Sequence, residues 1–437
     1  MKKILLVIVA LAGIFVACKK EDNNSNNSNN TAACDSTFTP IVFAHGLLAS
    51  GDTYANQVMR FTSNNYCGNL LYAFDWNTLA QGADNAALLD AYIDEVLQKT
   101  GASQVNLVGH SAGGGLGYSY LSNATRAAKV KHYVHVGSGA QTGPAGPNGE
   151  VPTLNIWSPD DLVVQSADIP GATNVSIAGK DHYEIATCAE TFEAMYKFFN
   201  ENNAPNTTSI LSQTDVEICG RVVTLGENAP KPNTTIKVFE INNTTGERLS
   251  ATPDFTFGVN AEGYWNAIKV KPNTPYEFEV NSNETGDRIV HYYREGFTHS
   301  NPLVYLRLLP PAGSFAGNLL SSLPKDDNQS VVVVFTANKA TISGRDELVV
   351  NGNTLSIPDF TAADKTTIAM FLYDNGNSTT DLTSANVLFS SFPFLEAVDV
   401  FFPTATPQTI TCNFNGRNLP VRNWKSASEG VTIAIFD

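Results

Sequence analysis

The residues best placed to do chemistry lie in Val108-Gly109-His110-Ser111-Ala112-Gly113-Gly114-Gly115, a serine with glycine two positions to either side. A strand-like run, Gln104 to Val108, leads in, and Leu116 to Leu121 can continue as helix. This is the setting in which a strand turns sharply into a helix and presents a serine hydroxyl above the sheet. Such a turn strains the serine backbone, and side chains flanking it would strike the neighbouring strand or helix; glycine at 109 and 113 removes that collision. The chemistry is nucleophilic attack on a carbonyl by Ser111 Oγ, once a base has taken its proton. A glycine-rich turn with a chance serine has the same spelling, so the partners decide.

Where a serine elbow serves catalysis in this way, an acid and then a histidine follow it along the chain. His132 and His135 fall in Val130 to Val136, a strand directly after the elbow helix and ahead of any plausible acid; they read as strand histidines without a catalytic role. His182 follows the strand-like Asn174 to Ala178 through Gly179-Lys180-Asp181, with a helical pattern from Ile185 to Phe199 beyond it. A loop leaving the C-terminal end of a strand suits a general base. The acid lies after the strand-like Leu154 to Trp157, in Ser158-Pro159-Asp160-Asp161-Leu162-Val163-Val164, where two aspartates compete. A tetrahedral intermediate also needs backbone N–H groups aimed at its oxyanion, each worth on the order of 3 kcal/mol. Ala112, next after the serine, supplies one; Leu47, in the His45-Gly46-Leu47 loop after the strand-like Pro40 to Ala44, supplies the other. His45 precedes the serine and reads as a prop for that loop.

With these residues assembled, the stretch from about Phe38 to Asn200 resembles an α/β-hydrolase, and in particular the small lidless bacterial lipases. Four motifs carry the resemblance: His45-Gly46-Leu47, Gly109-His110-Ser111-Ala112-Gly113, Asp160-Asp161-Leu162-Val163, and the Gly179 to His182 loop. It implies a mostly parallel sheet flanked by helices, a Ser111–His182–Asp160 triad, an oxyanion hole at Leu47 and Ala112, and no cofactor. Asp160 is the choice because an acid, one residue and then two aliphatics is the lipase pattern; Asp161 would then face solvent or cap the turn. In that fold the strands starting near Pro40 and Leu70 are parallel neighbours, which implies a Cys34–Cys67 disulfide. The connector Gly137 to Val151 is too short and too rich in glycine and proline for the helical lid of larger lipases. It implies an uncovered serine, weak interfacial activation and access for bulky or polymeric esters.

The chain opens with Met1-Lys2-Lys3 and an apolar stretch, Ile4 to Val16, too short to span a bilayer comfortably. Val16-Ala17 before Cys18 resembles a bacterial lipoprotein signal (residues 1–17 removed, Cys18 lipidated), although Phe15 departs from the usual leucine or valine. Residues 18–37, with an Asn/Ser tract to Asn30, form a tether that cannot bury a core. Acyl chains on Cys18 would anchor the protein at the outer membrane or cell surface. The sequence holds 6 cysteines, and the pairing of Cys188, Cys219 and Cys412 stays open.

A catalytic domain over 38–203 gives way at Asn202 to Thr208 to a β-rich half. Its first part, 213–311, resembles a transthyretin-like or carboxypeptidase-regulatory-like sandwich; a second β domain spans 312–437, with a hairpin candidate at Asn351-Gly352. A hydrolase followed by a β-rich half is also the layout of some archaeal and bacterial lipases, in which that half engages lipid or substrate. Tyr292, Tyr293 and Phe297 read either as sandwich core and edge or as contacts to a hydrophobic substrate. His291 and His299 lack partners at metal-ligand spacing, so no metal is assigned. The net charge of −15, with Lys and Arg scattered, argues against nucleic acid and against electrostatic adhesion to anionic membranes. The expectation is a serine carboxylester hydrolase of lipase type tethered outside the cell, with an esterase on polysaccharide acyl groups or polyesters as the alternative and a surface-binding lipoprotein as a third reading.

Overall fold

The computed structural model describes residues 34–80 and 82–437. The signal, Cys18 and most of the tether therefore lie outside the described residues. The tether's last residues do not float: Cys34 is bonded to Cys67, and Asp35 bridges Tyr66.

Six parallel strands make the first sheet: β1 (Ile41–Ala44), β2 (Leu71–Phe74), β3 (Val105–His110), β4 (Val130–Val136), β5 (Thr153–Trp157) and β6 (Thr173–Ser176), in the order β2-β1-β3-β4-β5-β6. Ile41, Val42, Phe43, Val105, Leu107 and Val108 are each 0 % exposed, because helices cover both faces and strands of a parallel sheet need no polar side. The helices are α1 (Ala55–Thr62), α2 (Asn85–Thr100), α3 (Ala112–Leu121), α4 (Ala124–Ala127), α5 (Glu184–Thr187) and α6 (Ala189–Phe199). The helix expected from Ile185 to Phe199 is thus two. Cys188 takes an extended backbone (ψ 161°) between them, and the Gln57 side-chain amide donates to the carbonyls of Ala186 and Cys188 at the break. The chain runs from β1 outward to β2 and returns past β1 to β3, so the strand order reverses between β1 and β3. A crevice opens at the C-terminal strand ends there, and Ser111 follows β3 at that point.

The segment after α6 is packed rather than loose. Arg60 Nε donates to the Thr208 carbonyl, Asn64 Nδ2 to that of Thr207, and the Leu211 N–H to Ser63 Oγ. Beyond it come β7 (Val216–Thr224), β8 (Thr235–Glu240), β9 (Phe255–Gly258), β10 (Tyr264–Val270), β11 (Tyr276–Asn281), β12 (Val290–Arg294), β13 (Asn301–Leu308), helix α7 (Phe315–Leu320), β14 (Val332–Thr336), β15 (Leu348–Val350), β16 (Asn353–Thr354), helix α8 (Pro358–Thr361), β17 (Ala369–Tyr373), β18 (Leu395–Asp399), β19 (Thr409–Phe414), β20 (Arg417–Arg422) and β21 (Val431–Phe436). The turn between β15 and β16 has positive φ at both Asn351 (51°) and Gly352 (81°), the conformation an Asn-Gly hairpin requires.

A central eight-stranded sheet, β18-β17-β14-β21-β12-β11-β8-β9, is flanked by the three-stranded β10-β7-β13 and the four-stranded β16-β15-β19-β20. The last strand, β21, lies between β12 and β14 and is parallel to both. One sheet therefore joins residues 213–311 to 312–437. Val333, Phe371, Ile433 and Ile435 face one core, while Val332, Val334, Leu372, Ala434 and Phe436 face the other. Burial on both faces explains why Val331 to Val334 shows no alternation.

Candidate active site

Ser111 stands at the tip of the elbow with φ 54° and ψ −120°, a conformation that costs a non-glycine residue free energy and persists only when the surroundings enforce it. Here they do. A Cβ at position 109 would come within 2.3 Å of the Gly113 carbonyl oxygen, and one at 113 within 2.2 Å of the Ala44 carbonyl oxygen. The Ser111 N–H donates to the Val136 carbonyl, and its own carbonyl accepts from Ser138 Oγ and from the N–H of Gly114.

His182 sits in the loop between β6 and α5, with Nε2 2.9 Å from Ser111 Oγ and Nδ1 2.7 Å from Asp161 Oδ2. The carboxylate on the imidazole is thus Asp161, not Asp160. Successive side chains on the turn after β5 point apart: Asp161 turns inward and is 3 % exposed, whereas Asp160 is exposed and accepts the Gly179 N–H at 2.6 Å. Asp161 Oδ1 accepts from the N–H groups of Val163 and Val164. Burial opposes ionisation of Asp161, but its bond to His182 and these two donors outweigh it and hold the carboxyl below the usual carboxylate range.

The His45-Gly46-Leu47 loop passes directly over Ser111; a Cβ on Gly46 would lie 3.0 Å from that of the serine. Leu48 follows in left-handed backbone (φ 59°), its N–H donating to Thr78 Oγ1. The N–H of Ala112 belongs to the first turn of α3, where no intrahelical acceptor exists. His45 is wholly buried, with Nδ1 donating to Gly46 O and Nε2 accepting from the Trp76 N–H; burial pushes its pKa down. His132 bonds to Asn106, and His135 to Tyr133 and Gly139, neither touching the site.

Other residues of the site lay outside the motif reading. His110, inside the elbow itself, donates from Nε2 to the His182 carbonyl, and burial drives its own pKa down to about 3, so it acts as a neutral donor. Asn228, on the loop after β7, bonds through Nδ2 to the carbonyls of Ala49 and Trp76 and accepts from Ser50 Oγ. Asp75 accepts from the Gly51 N–H, Arg221 and the Tyr305 hydroxyl. The loop over the serine is thus secured by the β-rich half, across sequence separations that no local signal reveals.

The serine is also not uncovered. No helix occupies 137–151, as the connector's length implies, yet the β-rich half supplies the cover. A cavity of about 120 Å³ runs from Ser111 and His182 past Leu47 and Tyr183 into apolar side chains of that half. Phe315 and Leu319 of α7 line it, as do Phe392 and Phe394 and the sheet face of Val333, Phe371, Ile433 and Ile435. Phe394 lies nearly parallel to His182, ring centroids 6.0 Å apart. Tyr292, Tyr293 and Phe297 are buried core residues, and of the three only Tyr292 reaches this cavity. Weak interfacial activation and access for polymers were tied to an open serine and do not follow from this arrangement. His291 pairs with Glu277 and His299 with Thr62; among the described residues no group of three or more His, Cys, Asp or Glu could hold a metal.

The N-terminal sheet and helices form an α/β-hydrolase fold. The model of that fold matches residues 39–156, which include Ser111 but end before Asp161 and His182. A model described as a lipase C-terminal domain matches 214–311, and a further C-terminal-domain model matches 323–437. Solved structures similar to this chain include a lipase of Bacillus licheniformis (19 % identity, 39 % of this chain and 96 % of that one, TM-score 0.32). An esterase of a Rhodococcus species (18 %, 39 % and 94 %, 0.31) and the naproxen esterase of Bacillus subtilis (15 %, 38 % and 86 %, 0.30) are also similar. Identities and scores this low bear on no substrate.

Proposed function

We propose that this protein is a serine carboxylester hydrolase acting on esters with an apolar acyl chain. Ser111 Oγ attacks the ester carbonyl while His182 Nε2 takes its proton. The N–H groups of Leu47 and Ala112 receive the oxyanion, and the imidazolium, steadied by Asp161, returns the proton to the departing alcohol. Water then enters by the same route in reverse and releases the acid from the acyl-enzyme. The observation that carries this reading is the hydrogen-bonded chain Ser111–His182–Asp161 opening into an apolar cavity. The fold alone would leave the chemistry undecided.

That cavity favours a lipid-type acyl chain over the alternative substrates. Walls of leucine, valine, isoleucine and phenylalanine reward burial of methylene groups, about 0.8 kcal/mol each, and offer little to a sugar hydroxyl. The signal and Cys18 support an enzyme held at the outside of a membrane by lipid. The test is hydrolysis of p-nitrophenyl esters of increasing chain length by protein lacking the residues before Thr31, beside Ser111→Ala. Turnover by the parent, abolished in the variant and rising with chain length beyond acetate, is expected. Equal rates in both proteins would end the hydrolase reading, and a preference for acetate would favour the esterase alternative.

A further inference from the structure

We infer that Arg345, contributed by the β-rich half, is a positioning residue for His182, acting through Asp181; the inference rests on the Ser111 hydrolase reading. His182 stands on a short irregular loop, and the residue before it, Asp181, is a buried carboxylate (4 % exposed) with both oxygens engaged. Oδ1 accepts from the N–H groups of Tyr183 and Glu184 at 2.9 and 2.8 Å, tying the loop to the start of α5. Oδ2 accepts from Arg345 Nη2 at 2.8 Å and from the Ala340 N–H at 3.2 Å, tying it to the β-rich half.

Arg345 is itself fixed. Its Nη2 also donates to the Ala340 carbonyl at 2.6 Å, its Nε to Asp346 Oδ2 at 2.8 Å, and its Nη1 to Glu184 Oε2 at 3.3 Å. Asp346 in turn takes Lys339 Nζ and Asn415 Nδ2 on Oδ1. A planar guanidinium held at three edges sets direction as well as charge, which a flexible ammonium does less well. The Arg345 side chain is 31 % exposed, but its partners Asp181 and Asp346 are 3 % and 0 % exposed, so removing the guanidinium leaves buried carboxylates short of a partner and costs fold stability as well. Its hydrogen bonds converge on the residue that carries the base, where small displacements govern rate. Phe394, Ala340 and Ile368 pack in the same junction with Tyr183, the residue after the base. Both neighbours of His182 in sequence are therefore held by residues more than 150 positions away.

The test uses the whole protein with Arg345→Ala, Arg345→Lys and Asp181→Asn, with Ser111→Ala as the blank. Sites are counted by stoichiometric phosphonate titration, and kcat and KM are measured separately on butyrate and longer p-nitrophenyl esters. Expected is a fall in kcat per titrated site of about ten- to a hundredfold for Arg345→Ala, KM unchanged at every chain length, and partial recovery in Arg345→Lys or with added guanidinium ion. Asp181→Asn should match Arg345→Ala, and the double variant should be no worse than either; these carry the comparison should Arg345→Ala fail to fold. Fewer titratable sites and a lower Tm, with kcat per site intact, would overturn the inference by showing Arg345 to be structural only. So would a KM defect that grows with chain length. A parent no more active than Ser111→Ala removes the hydrolase reading and this inference with it.

Discussion

Replacing Asp161 with asparagine sets its two oxygen positions against each other. Oδ1 now accepts two backbone N–H groups, from Val163 and Val164 at 2.9 and 3.0 Å, while Oδ2 accepts the Nδ1 proton of His182 at 2.7 Å. An amide has only one oxygen. If it stays with the valine N–H groups, the NH₂ faces Nδ1, which must then be the unprotonated nitrogen; Nε2 carries the proton and cannot accept the one on Ser111 Oγ. If the amide flips, an NH₂ meets two buried donors, and leaving those unsatisfied costs about 1–3 kcal/mol each. The first arrangement wins, so the imidazole is held in the wrong tautomer. The loss in kcat is about 10⁴-fold, or about 5.5 kcal/mol of transition-state stabilisation. Asp160→Asn keeps an amide oxygen free to accept the Gly179 N–H, so only the charge on one exposed contact is lost, about 1 kcal/mol or less, and kcat stays within about fivefold. Burst and steady-state kinetics on p-nitrophenyl butyrate, normalised to titrated sites, measure both. Asp161→Asn retaining a tenth or more of the parent rate, or Asp160→Asn falling as far as Asp161→Asn, would refute the assignment.

Other consequences follow from the same contacts. Ile433→Trp, which fills the apolar cavity from the sheet face, should move the chain-length optimum to shorter esters while leaving butyrate turnover nearly unchanged; a uniform loss at all lengths would show that the acyl chain does not lie there. Asn228→Ala releases the carbonyls of Ala49 and Trp76 and should cost about 1–3 kcal/mol in chemical denaturation, together with a fall in kcat as the oxyanion loop loosens. Cys34→Ala with Cys67→Ala opens a loop of sequence separation 33 and should cost about 3.7 kcal/mol on the chain-entropy account, read as a lower Tm without a change in kcat per site. The depressed pKa of Asp161 contributes stability that is present above the unfolded carboxyl value of about 3.9 and lost as pH falls through the lower folded value. The stability difference between parent and Asp161→Asn should therefore shift against the parent as pH drops through that window, and a difference that does not vary with pH would contradict it.

How much of this could be read along the chain depends on how far each cause reaches. The elbow at Ser111 is legible because its glycines keep a fixed spacing about the serine: a Cβ at 109 would meet the Gly113 carbonyl within the turn, and one at 113 the Ala44 carbonyl of the neighbouring strand, each under 2.5 Å away. His182 is legible because chain order and the strand before it place it at the rim of the sheet. The choice between Asp160 and Asp161 is not, since adjacent residues on a turn point in different directions and the aliphatic pattern after them is the same for either. Val331 to Val334 announces a buried strand, but not that its two faces serve two cores, or that one face continues to the serine. The short connector over 137–151 shows correctly that no lid arises there; the cover comes instead from residues 315 to 435, and only packing brings them over the site. What the sequence determined by itself is the Ser111 elbow and the His182 loop, because each turn demands particular residue types at a fixed spacing within a few positions. Only the tertiary structure decided which carboxylate orients the base, what encloses the serine, and that Asn228 and Arg345 hold the two loops of the site. The contacts of Asn228 and Arg345 cross separations of well over a hundred residues, and they exist only once the cores on either side have packed.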